Sequence, residues 1–335
     1  MIRTGLVGYG LAGKVFHEPL IGACERLELS GVLTSREHRL KVSSMDELLS
    51  RSDLVVIASP NQTHYPLAKA ALQKGRHVVV DKPFTVTLDE ADDLITLASG
   101  LGLVLTVFHN RRWDGDFLTV KDVLPELGDI FLFEANWDRF RPEIKEGWRE
   151  DEGAGSGLLS DLGPHLFDQA LRLFGPPSEI AADIIVQRPD ARVDDYFDIA
   201  LHHGRTRICL RSSTLVASPR ARFAAHGSLG SFVKHGLDPQ EAQLKGGMDP
   251  RDPEFGIDVE QGVLTLSDGQ RRLVPTRRGN YRAFYEAVAD TILEGAPVPV
   301  PPQEAREALL LIDLARRAAA EERLVAVPDA SSKGG

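Results

Sequence analysis

The sequence predicts an α/β fold in which a doubly wound parallel sheet is followed by an α+β domain with a largely antiparallel open sheet. Two observations lead to this prediction. Over about the first 110 residues, short apolar runs alternate with amphipathic stretches, which is typical of repeated strand–helix–strand units. Beyond Arg112 the stretches lengthen, alternate between apolar and polar residues, and are interrupted by Gly and Pro, which is typical of antiparallel strands.

The length of 335 residues indicates about two domains, at roughly 150 residues per domain. We place the first domain at residues 1–118 and the second at residues 119–327. We expect residues 328–335, which include Ala-Ser-Ser-Lys-Gly-Gly, to form a disordered tail.

The first domain shows five apolar runs that predict strands, at residues 2–7, 27–33, 53–58, 77–80 and 103–107. Helices are predicted between them, at residues 13–23, 64–74 and 88–99. Because these strands are continuously apolar, we expect a parallel sheet that is covered on both faces.

The second domain shows alternating patterns that predict strands at residues 130–137, 179–187, 196–202, 207–213 and 222–225, with a hairpin at 262–266 and 271–274. Two late amphipathic helices follow, with stripes that contain Tyr281 and Ala305 and that we interpret as packing surfaces. One face of the sheet should pack on helices, which leaves the other for a ligand or a subunit.

Bulk composition narrows the class of protein. The formal net charge is −10 with acidic and basic residues interspersed, which argues against a nucleic-acid partner. No apolar run approaches the roughly 18 residues that cross a bilayer, and the first residues lack the apolar core of a signal peptide. The two cysteines, Cys24 and Cys209, are far apart and indicate neither a disulfide framework nor a cysteine metal site. We therefore expect a cytoplasmic protein without membrane association.

A glycine pattern follows the first predicted strand and precedes a helix. Gly8 permits a tight turn, Gly10 has no Cβ to keep the backbone from a pyrophosphate, and Gly13 lets the helix pack close to the strand. The helix N-terminus then points free N–H groups at the phosphates. This context predicts a Rossmann dinucleotide site; the alternative is a glycine turn without a ligand. The predicted cofactor residues here are Gly8, Tyr9, Gly10, Leu11, Ala12 and Gly13.

The second predicted strand is followed by Thr34, Ser35 and Arg36, where NAD-binding folds usually carry an Asp or Glu that accepts from the ribose 2′-hydroxyl. A hydroxyl and a guanidinium would instead bind a 2′-phosphate through charge-assisted hydrogen bonds. We therefore predict that these three residues contact the cofactor and favour NADP over NAD. Glu37 leaves open the alternative that Arg36 is a solvated loop residue.

The third predicted strand is followed by Ser59, Pro60 and Asn61, at the edge where open α/β sheets bind ligands. Asn61 or Thr63 could cap the helix that begins near His64, could contact the cofactor, or could do both. We include Ser59, Pro60, Asn61 and His64 among the predicted cofactor residues.

The fourth predicted strand delivers Asp81 and Lys82, followed by Pro83, which fixes the turn. An ammonium held there could stabilise a developing alkoxide or relay its proton. The alternative is a surface lysine. We include Asp81 and Lys82 among the cofactor-binding residues and Lys82 among the catalytic ones.

A second polar cluster follows the glycine-rich residues 153–157. Asp161 and His165 are four residues apart, so on a helix they share one face. Because Pro164 is tolerated in a first turn, we predict that the helix starts near Ser160 or Asp161. Histidine is the usual base for an alcohol proton, and the carboxylate can orient it. The alternatives are a helix cap and a core histidine; no third ligand at metal spacing accompanies the pair, so no metal is predicted.

Together these motifs resemble the glucose–fructose oxidoreductase/inositol dehydrogenase (Gfo/Idh/MocA) family over nearly the whole chain. Within the family the chain is similar to the NADP-dependent scyllo-inositol dehydrogenase-like branch. The resemblance rests on the glycine loop, Ser59-Pro60-Asn61 with His64, residues 77–83, and Asp161 with His165, and for the branch on residues 14–17, 108–114, 138–142 and 236–241. Two departures are Asp81, where the family commonly has Glu, and the Gly-Ala-Gly-Ser-Gly loop, where it has a glycine triplet.

The resemblance implies a reversible hydride transfer between nicotinamide and a secondary alcohol of a cyclic polyol or sugar. It implies that Lys82, Asp161 and His165 meet at the nicotinamide end of an interdomain cleft, with His165 taking the hydroxyl proton. It also implies a homodimer or homotetramer. Alternatives are an aldose or diol dehydrogenase and a non-catalytic NADP-binding sensor. The candidate substrate-pocket residues, which core packing would explain equally well, are Arg112, Trp137, Arg139, Trp148, Asn280 and Tyr281.

Overall fold

The computed structural model describes residues 1–144, 150–151, 153 and 155–328. The chain folds into two compact units: residues 1–114, 238–257 and 278–309 form the first, and residues 115–237, 258–277 and those from 310 on form the second. This division differs from the single boundary that we placed after residue 118. The reason is that later residues such as Phe255, Tyr285 and Ala305 are buried in the core of the first unit. The predicted tail, apart from residue 328, lies outside the described residues.

The first unit is built on a parallel sheet, as the sequence predicts. Its order is β3-β2-β1-β4-β5-β6, and every neighbouring pair is parallel. The chain reverses its direction of travel through the sheet between β1 and β4, which is where doubly wound sheets bind ligands. The strands are β1 (Ile2–Val7), β2 (Leu27–Leu33), β3 (Lys41–Val42), β4 (Leu54–Ile57), β5 (His77–Val80) and β6 (Leu105–Val107).

The second unit contains a sheet in which the neighbouring strands are antiparallel except for the parallel pair β7 and β10. Its order is β14-β13-β12-β11-β7-β10-β9-β8-β15. The largely antiparallel prediction is therefore confirmed. The strands are β7 (Ile130–Asn136), β8 (Glu179–Ile185), β9 (Tyr196–His203), β10 (Thr206–Ser213), β11 (Phe223–Gly227), β12 (Gly230–Lys234), β13 (Gly262–Leu266), β14 (Arg271–Val274) and β15 (Val325–Ala326).

Helices pack against both sheets. A π-helical turn, Ala12–His17, continues into the first α-helix, and single 3₁₀ turns lie at Asn61–Thr63, Asn110–Trp113 and Leu124–Leu127. None of the helices in the described part of the chain combines the length and apolar character needed to span a bilayer. The α-helices are α1 (Glu18–Ala23), α2 (Met45–Arg51), α3 (His64–Gln73), α4 (Leu88–Leu101), α5 (Gly115–Val123), α6 (Leu158–Phe174), α7 (Gln240–Lys245), α8 (Arg282–Glu294) and α9 (Pro302–Glu321).

Helix α6 begins earlier than the sequence predicts. It starts at Leu158, so Pro164 lies inside the helix and not in its first turn. Proline cannot donate to the carbonyl of Ser160, and its ring disfavours a helical residue before it. Here that residue is Gly163, which lacks the Cβ that would clash with the ring. The local sequence therefore lets the helix run through Pro164.

Candidate active site

Four of the predicted site segments follow the carboxyl ends of β1, β2, β4 and β5. These strands are parallel, so their carboxyl ends lie at one edge of the sheet. The glycine loop, residues 34–36, residues 59–61 and residues 81–82 are therefore collected at that edge within the first unit.

The three glycines of the loop differ in their surroundings. Gly8 has a φ of +92°, and a Cβ there would lie 2.5 Å from the carbonyl oxygen of Ala58. A Cβ at Gly13 would lie 2.2 Å from the carbonyl oxygen of Gly8, so the helical turn packs directly on the loop. A Cβ at Gly10 would meet nothing within 4 Å, so only Gly10 leaves open space beside its backbone. This arrangement fits a pyrophosphate at Gly10, with Gly8 and Gly13 shaping the loop.

The loop residues between the glycines divide into exposed and anchored side chains. Leu11 is 51% exposed, and Ala12 begins the π-helical turn. The Tyr9 hydroxyl donates to Glu18, whose other carboxylate oxygen lies 3.1 Å from Nε2 of His38. Burial, followed by the hydrogen bond and charge of Glu18, raises the pKa of Tyr9 to about 12. Glu18 thus ties the glycine loop to the segment that follows β2.

The segment after β2 presents several side chains to solvent. The Thr34 hydroxyl accepts from the Arg36 amide at 3.1 Å, which turns the backbone, while Ser35 and Arg36 are exposed. The neighbouring carboxylate, Glu37, is fully exposed and lies 3.8 Å from the Lys41 ammonium. A hydroxyl and a guanidinium are therefore accessible where a ribose 2′-substituent would bind.

The segment after β4 is held by its own hydroxyl groups. The Thr63 hydroxyl donates its one hydrogen to the carbonyl of Pro60 at 2.7 Å. The Ser59 hydroxyl lies 2.6 Å from the Thr63 hydroxyl and must therefore be the donor in that pair. Thr63 occupies the N-cap position of α3 but makes no capping bond with its side chain. Pro60 is exposed and Asn61 is partly exposed.

His64 differs from the other predicted cofactor residues because its side chain is wholly buried. Its Nδ1 lies 2.8 Å from the carbonyl oxygen of Pro83, and its Nε2 lies 2.9 Å from that of Ser59. Both ring nitrogens are therefore engaged with main-chain atoms. The ring connects two loops of the site and does not present a nitrogen to a cofactor.

The segment after β5 carries Lys82 on a supported backbone. The Lys82 amide donates to Oδ1 of Asp81 at 2.8 Å, and the Lys82–Pro83 peptide bond is cis. Nε2 of His17 lies 3.8 Å from the same Asp81 oxygen, and its Nδ1 lies 2.7 Å from the Tyr285 hydroxyl. Burial acts to raise the pKa of Asp81, but the interaction with His17, together with the charge of Lys82, lowers it overall. Neither His17 nor Tyr285 is among the site residues predicted from the sequence.

In the second unit, α6 brings Asp161 and His165 beside two candidate pocket residues from the segment that follows β7. A guanidinium nitrogen of Arg139 lies 3.2 Å from Oδ2 of Asp161. The rings of Trp137 and His165 stack with centroids 5.9 Å apart, and Arg139 lies 5.7 Å from the Trp137 ring centroid. Four of the predicted residues therefore form one cluster, in which the guanidinium orients the carboxylate and the indole orients the imidazole.

The start of α6 is fixed by Asp194, which sequence reasoning missed. The Leu158 amide donates to the main-chain oxygen of Asp194 at 2.8 Å, and the Leu159 amide donates to its Oδ2 at 2.6 Å. Arg316 donates to Asp194 at 3.4 Å and to the hydroxyl of Ser160 at 2.9 Å. Burial raises the pKa of Asp194, although the Leu159 amide and Arg316 act against that rise.

The remaining candidate pocket residues differ in their burial and in their contacts. Arg112 is buried and forms a 2.7 Å ion pair with Glu304. Tyr281 is fully buried in the core of the first unit, where its hydroxyl donates to Asp114 at 2.6 Å, so core packing explains it. Asn280 is exposed, and Trp148 lies outside the described residues. Among the described residues, no group of three or more His, Cys, Asp or Glu side chains could hold a metal ion.

The parallel sheet with its glycine loop defines an NAD(P)-binding Rossmann domain, and comparison with known proteins gives the family. The model described as "Oxidoreductase family, NAD-binding Rossmann fold" matches residues 2–109. The model described as "Oxidoreductase family, C-terminal alpha/beta domain" matches residues 124–327. The chain therefore belongs to the Gfo/Idh/MocA oxidoreductase family and is a dehydrogenase.

Individual relatives cover nearly the whole chain. It is 47% identical over 328 residues to the uncharacterized oxidoreductase YdgJ of Escherichia coli, covering 93% of this chain and 95% of the relative. It is 37% identical over 341 residues to scyllo-inositol 2-dehydrogenase (NADP(+)) IolW of Bacillus subtilis, covering 97% of this chain and 95% of the relative. The solved structure of YvaA from Bacillus subtilis superimposes with a TM-score of 0.95 at 36% identity and covers 98% of each chain.

Proposed function

We propose that this protein is an NADP-dependent dehydrogenase that oxidises a secondary alcohol of a cyclic polyol or sugar, with scyllo-inositol as the leading candidate. The observation that carries the proposal is the cluster of Asp161 and His165 with Trp137 and Arg139, which offers a base, a carboxylate and an aromatic surface. The similarity to IolW over nearly the full length supports the substrate class.

The preference for NADP is supported by the segment after β2. Ser35 and Arg36 are exposed there, and the nearest carboxylate in sequence, Glu37, lies toward Lys41. A 2′-phosphate would receive charge-assisted hydrogen bonds from Arg36 and a hydroxyl contact from Ser35. Such bonds contribute about 1.5–3 kcal/mol each, enough to separate the two dinucleotides by tenfold or more.

The bound dinucleotide would supply the hydride acceptor, and the residues of the chain would handle the proton. We assign His165 as the base that takes the hydroxyl proton and Asp161 as the group that holds the substrate hydroxyl and the imidazole. The Lys82 ammonium would stabilise the developing alkoxide or relay its proton. Gly10 would let the pyrophosphate lie close to the backbone, and the loop after β4 would form one side of the cofactor site.

A cofactor and substrate panel tests this proposal. Purified protein should reduce NADP in the presence of scyllo-inositol, and the rate with NAD should be lower. Arg36→Ala should raise the KM for NADP by about tenfold or more and leave the KM for NAD unchanged. Arg39→Ala, at another exposed position of the same segment, is the matched control.

Three results would count against parts of the proposal. Turnover of simple aldoses but not of inositols would favour an aldose dehydrogenase. Equal KM values for NADP in the Arg36 variant and the wild type would contradict the role of Arg36. Binding of NADPH without turnover of any polyol or sugar would contradict the proposed substrate class.

A further inference from the structure

His64 makes contacts that a neutral imidazole cannot satisfy. Both ring nitrogens lie within 2.9 Å of carbonyl oxygens, Nδ1 at Pro83 and Nε2 at Ser59. A carbonyl oxygen only accepts hydrogen bonds, so each nitrogen needs its own hydrogen. A neutral ring carries one N–H and would direct a lone pair at the second carbonyl. Only the imidazolium, with two N–H groups, donates to both.

We propose that His64 is held as an imidazolium and is a positioning residue that joins two loops of the active site. One acceptor belongs to Ser59, which is itself one of the residues after β4 that are predicted to contact the cofactor. The other belongs to Pro83, the residue after Lys82. Because one rigid ring donates in both directions, the backbone that carries Lys82 stays at a fixed distance from the loop after β4.

A buried cation needs compensation, and the same edge of the sheet provides it. The His64 side chain is fully buried, where an uncompensated charge would be costly. Burial acts to raise the pKa of the Asp81 carboxyl, but nearby positive groups lower it overall. His17 and Lys82 contribute most to the lowering, and His64 makes a smaller contribution. The two carbonyl dipoles also point their oxygens at the ring. The imidazolium is therefore hydrogen-bonded on both sides, and the Asp81 carboxylate is a nearby anion.

Each loop is also held by hydrogen bonds of its own, and the ring adds a connection between the two. The loop after β4 is closed on itself by Ser59, Thr63 and Pro60. The loop after β5 is held by the Lys82 amide on Asp81. The ring of His64 is hydrogen-bonded to both, so its loss would remove two hydrogen bonds that hold the loops at a set distance.

The protonation state can be measured on the wild-type protein without turnover. Histidine labelled with ¹⁵N in the ring, observed by NMR at pH 7.5, should show both His64 nitrogens bonded to hydrogen; comparison with His64→Asn assigns the signals. His77 provides an internal reference, because its Nδ1 accepts from the Val104 amide at 3.0 Å and so carries no hydrogen. One unprotonated nitrogen on His64 at this pH would overturn the imidazolium.

The positioning role is tested by variants that each keep one donor. The amide nitrogen of Asn can replace Nδ1 and keep the bond to Pro83, and that of Gln can replace Nε2 and keep the bond to Ser59. We expect His64→Gln to lower kcat about tenfold to a hundredfold, since misplacement by about 1 Å has effects of that size, and to change the Kd for NADPH little. We expect His64→Asn to raise that Kd several-fold and to keep more of kcat.

His77→Asn, on the same sheet but at the start of β5, is the control and should leave both quantities unchanged. A His64→Phe variant with wild-type kcat and wild-type Kd for NADPH would overturn the positioning role. The kcat measurements rest on the proposed function. If the wild type turned over no polyol or sugar, the NMR signals and the NADPH affinities would still decide the inference about His64 on their own.

Discussion

At the residue scale, the glycine loop shows how three identical residues can have different reasons to be glycine. Gly8 and Gly13 face backbone atoms of the protein itself: a side chain at Gly8 would overlap Ala58, and one at Gly13 would force the helical turn away from the loop. Gly10 faces open space, so the fold does not explain its lack of a Cβ. We expect that a ligand approaches the backbone there.

This difference gives a matched pair of alanine variants. Gly10→Ala should leave the free energy of unfolding within about 0.5 kcal/mol of the wild type and raise the Kd for NADPH at least about tenfold. Gly13→Ala should lower the free energy of unfolding by about 1–3 kcal/mol, because its Cβ would overlap the carbonyl of Gly8. Denaturant unfolding and NADPH titration measure both. A Gly10→Ala protein that binds NADPH like the wild type would contradict the placement of the pyrophosphate.

The spacing of these glycines was readable from sequence because the motif is local. The surroundings of His64 were not, because its partners are carbonyl groups on two other segments that any residue type could supply. The position of His64 after the third predicted strand indicates that it lies near the site. That position does not distinguish a buried ring from a ring that contacts a cofactor.

At the element scale, α6 depends on a cap that lies far away in sequence. Gly157 precedes the helix with a φ of +90° and has no side chain to cap it. A Cβ there would lie 2.4 Å from Oδ1 of Asp194, so the glycine makes room for the carboxylate that serves instead. Because Asp161 and His165 lie in the first turns of α6, the same carboxylate sets their position.

Replacement of Asp194 should therefore affect both stability and catalysis. Asp194→Ala should lower the free energy of unfolding by about 0.5–2 kcal/mol, the usual effect of a lost N-cap. It should also lower kcat about tenfold and leave the Kd for NADPH unchanged, since α6 is not part of the Rossmann domain. Asp194→Asn keeps one oxygen for the Leu159 amide and should recover part of kcat.

Asp190→Ala, at an exposed position of the same loop, is the control. Steady-state kinetics with chemical denaturation separate the two effects. An Asp194→Ala enzyme with wild-type kcat would show that the cap supports only the fold.

The elements that were predicted well are those with a simple apolar pattern, such as β1, β4 and β5. Strand β12 was missed because Lys234 occupies a buried position of it, which breaks the apolar alternation. The structure accommodates that lysine by pairing its ammonium with Asp258 at 2.9 Å. The predicted start of α6 is too late because Pro164 favours a first-turn position, whereas Gly163 and the distant Asp194 allow the helix to begin at Leu158.

At the scale of the whole molecule, the fold class, the family and the dehydrogenase activity are confirmed. They could be predicted because several local motifs occur together in one order along the chain. The division of the chain into the two units could not be predicted. The first unit includes segments after residue 237, and the buried apolar side chains that place them there do not show in the sequence which unit they join. The homodimer or homotetramer and the choice of polyol stay predictions.

The proposed mechanism draws residues from both units: Lys82 belongs to the first, and Asp161 and His165 belong to the second. If these residues act on one substrate, removal of the ammonium should impair chemistry and spare dinucleotide binding. Lys74→Met, at an exposed position after α3, provides a control for the same chemical change.

The most direct test is the turnover of Lys82→Met with NADP and the best polyol of the panel, measured together with the Kd for NADPH. We expect kcat to fall by about 10²–10⁴, the usual contribution of a proton-transfer group, and the Kd for NADPH to stay close to that of the wild type. A Lys82→Met enzyme that turns over the polyol at the wild-type rate would contradict the account.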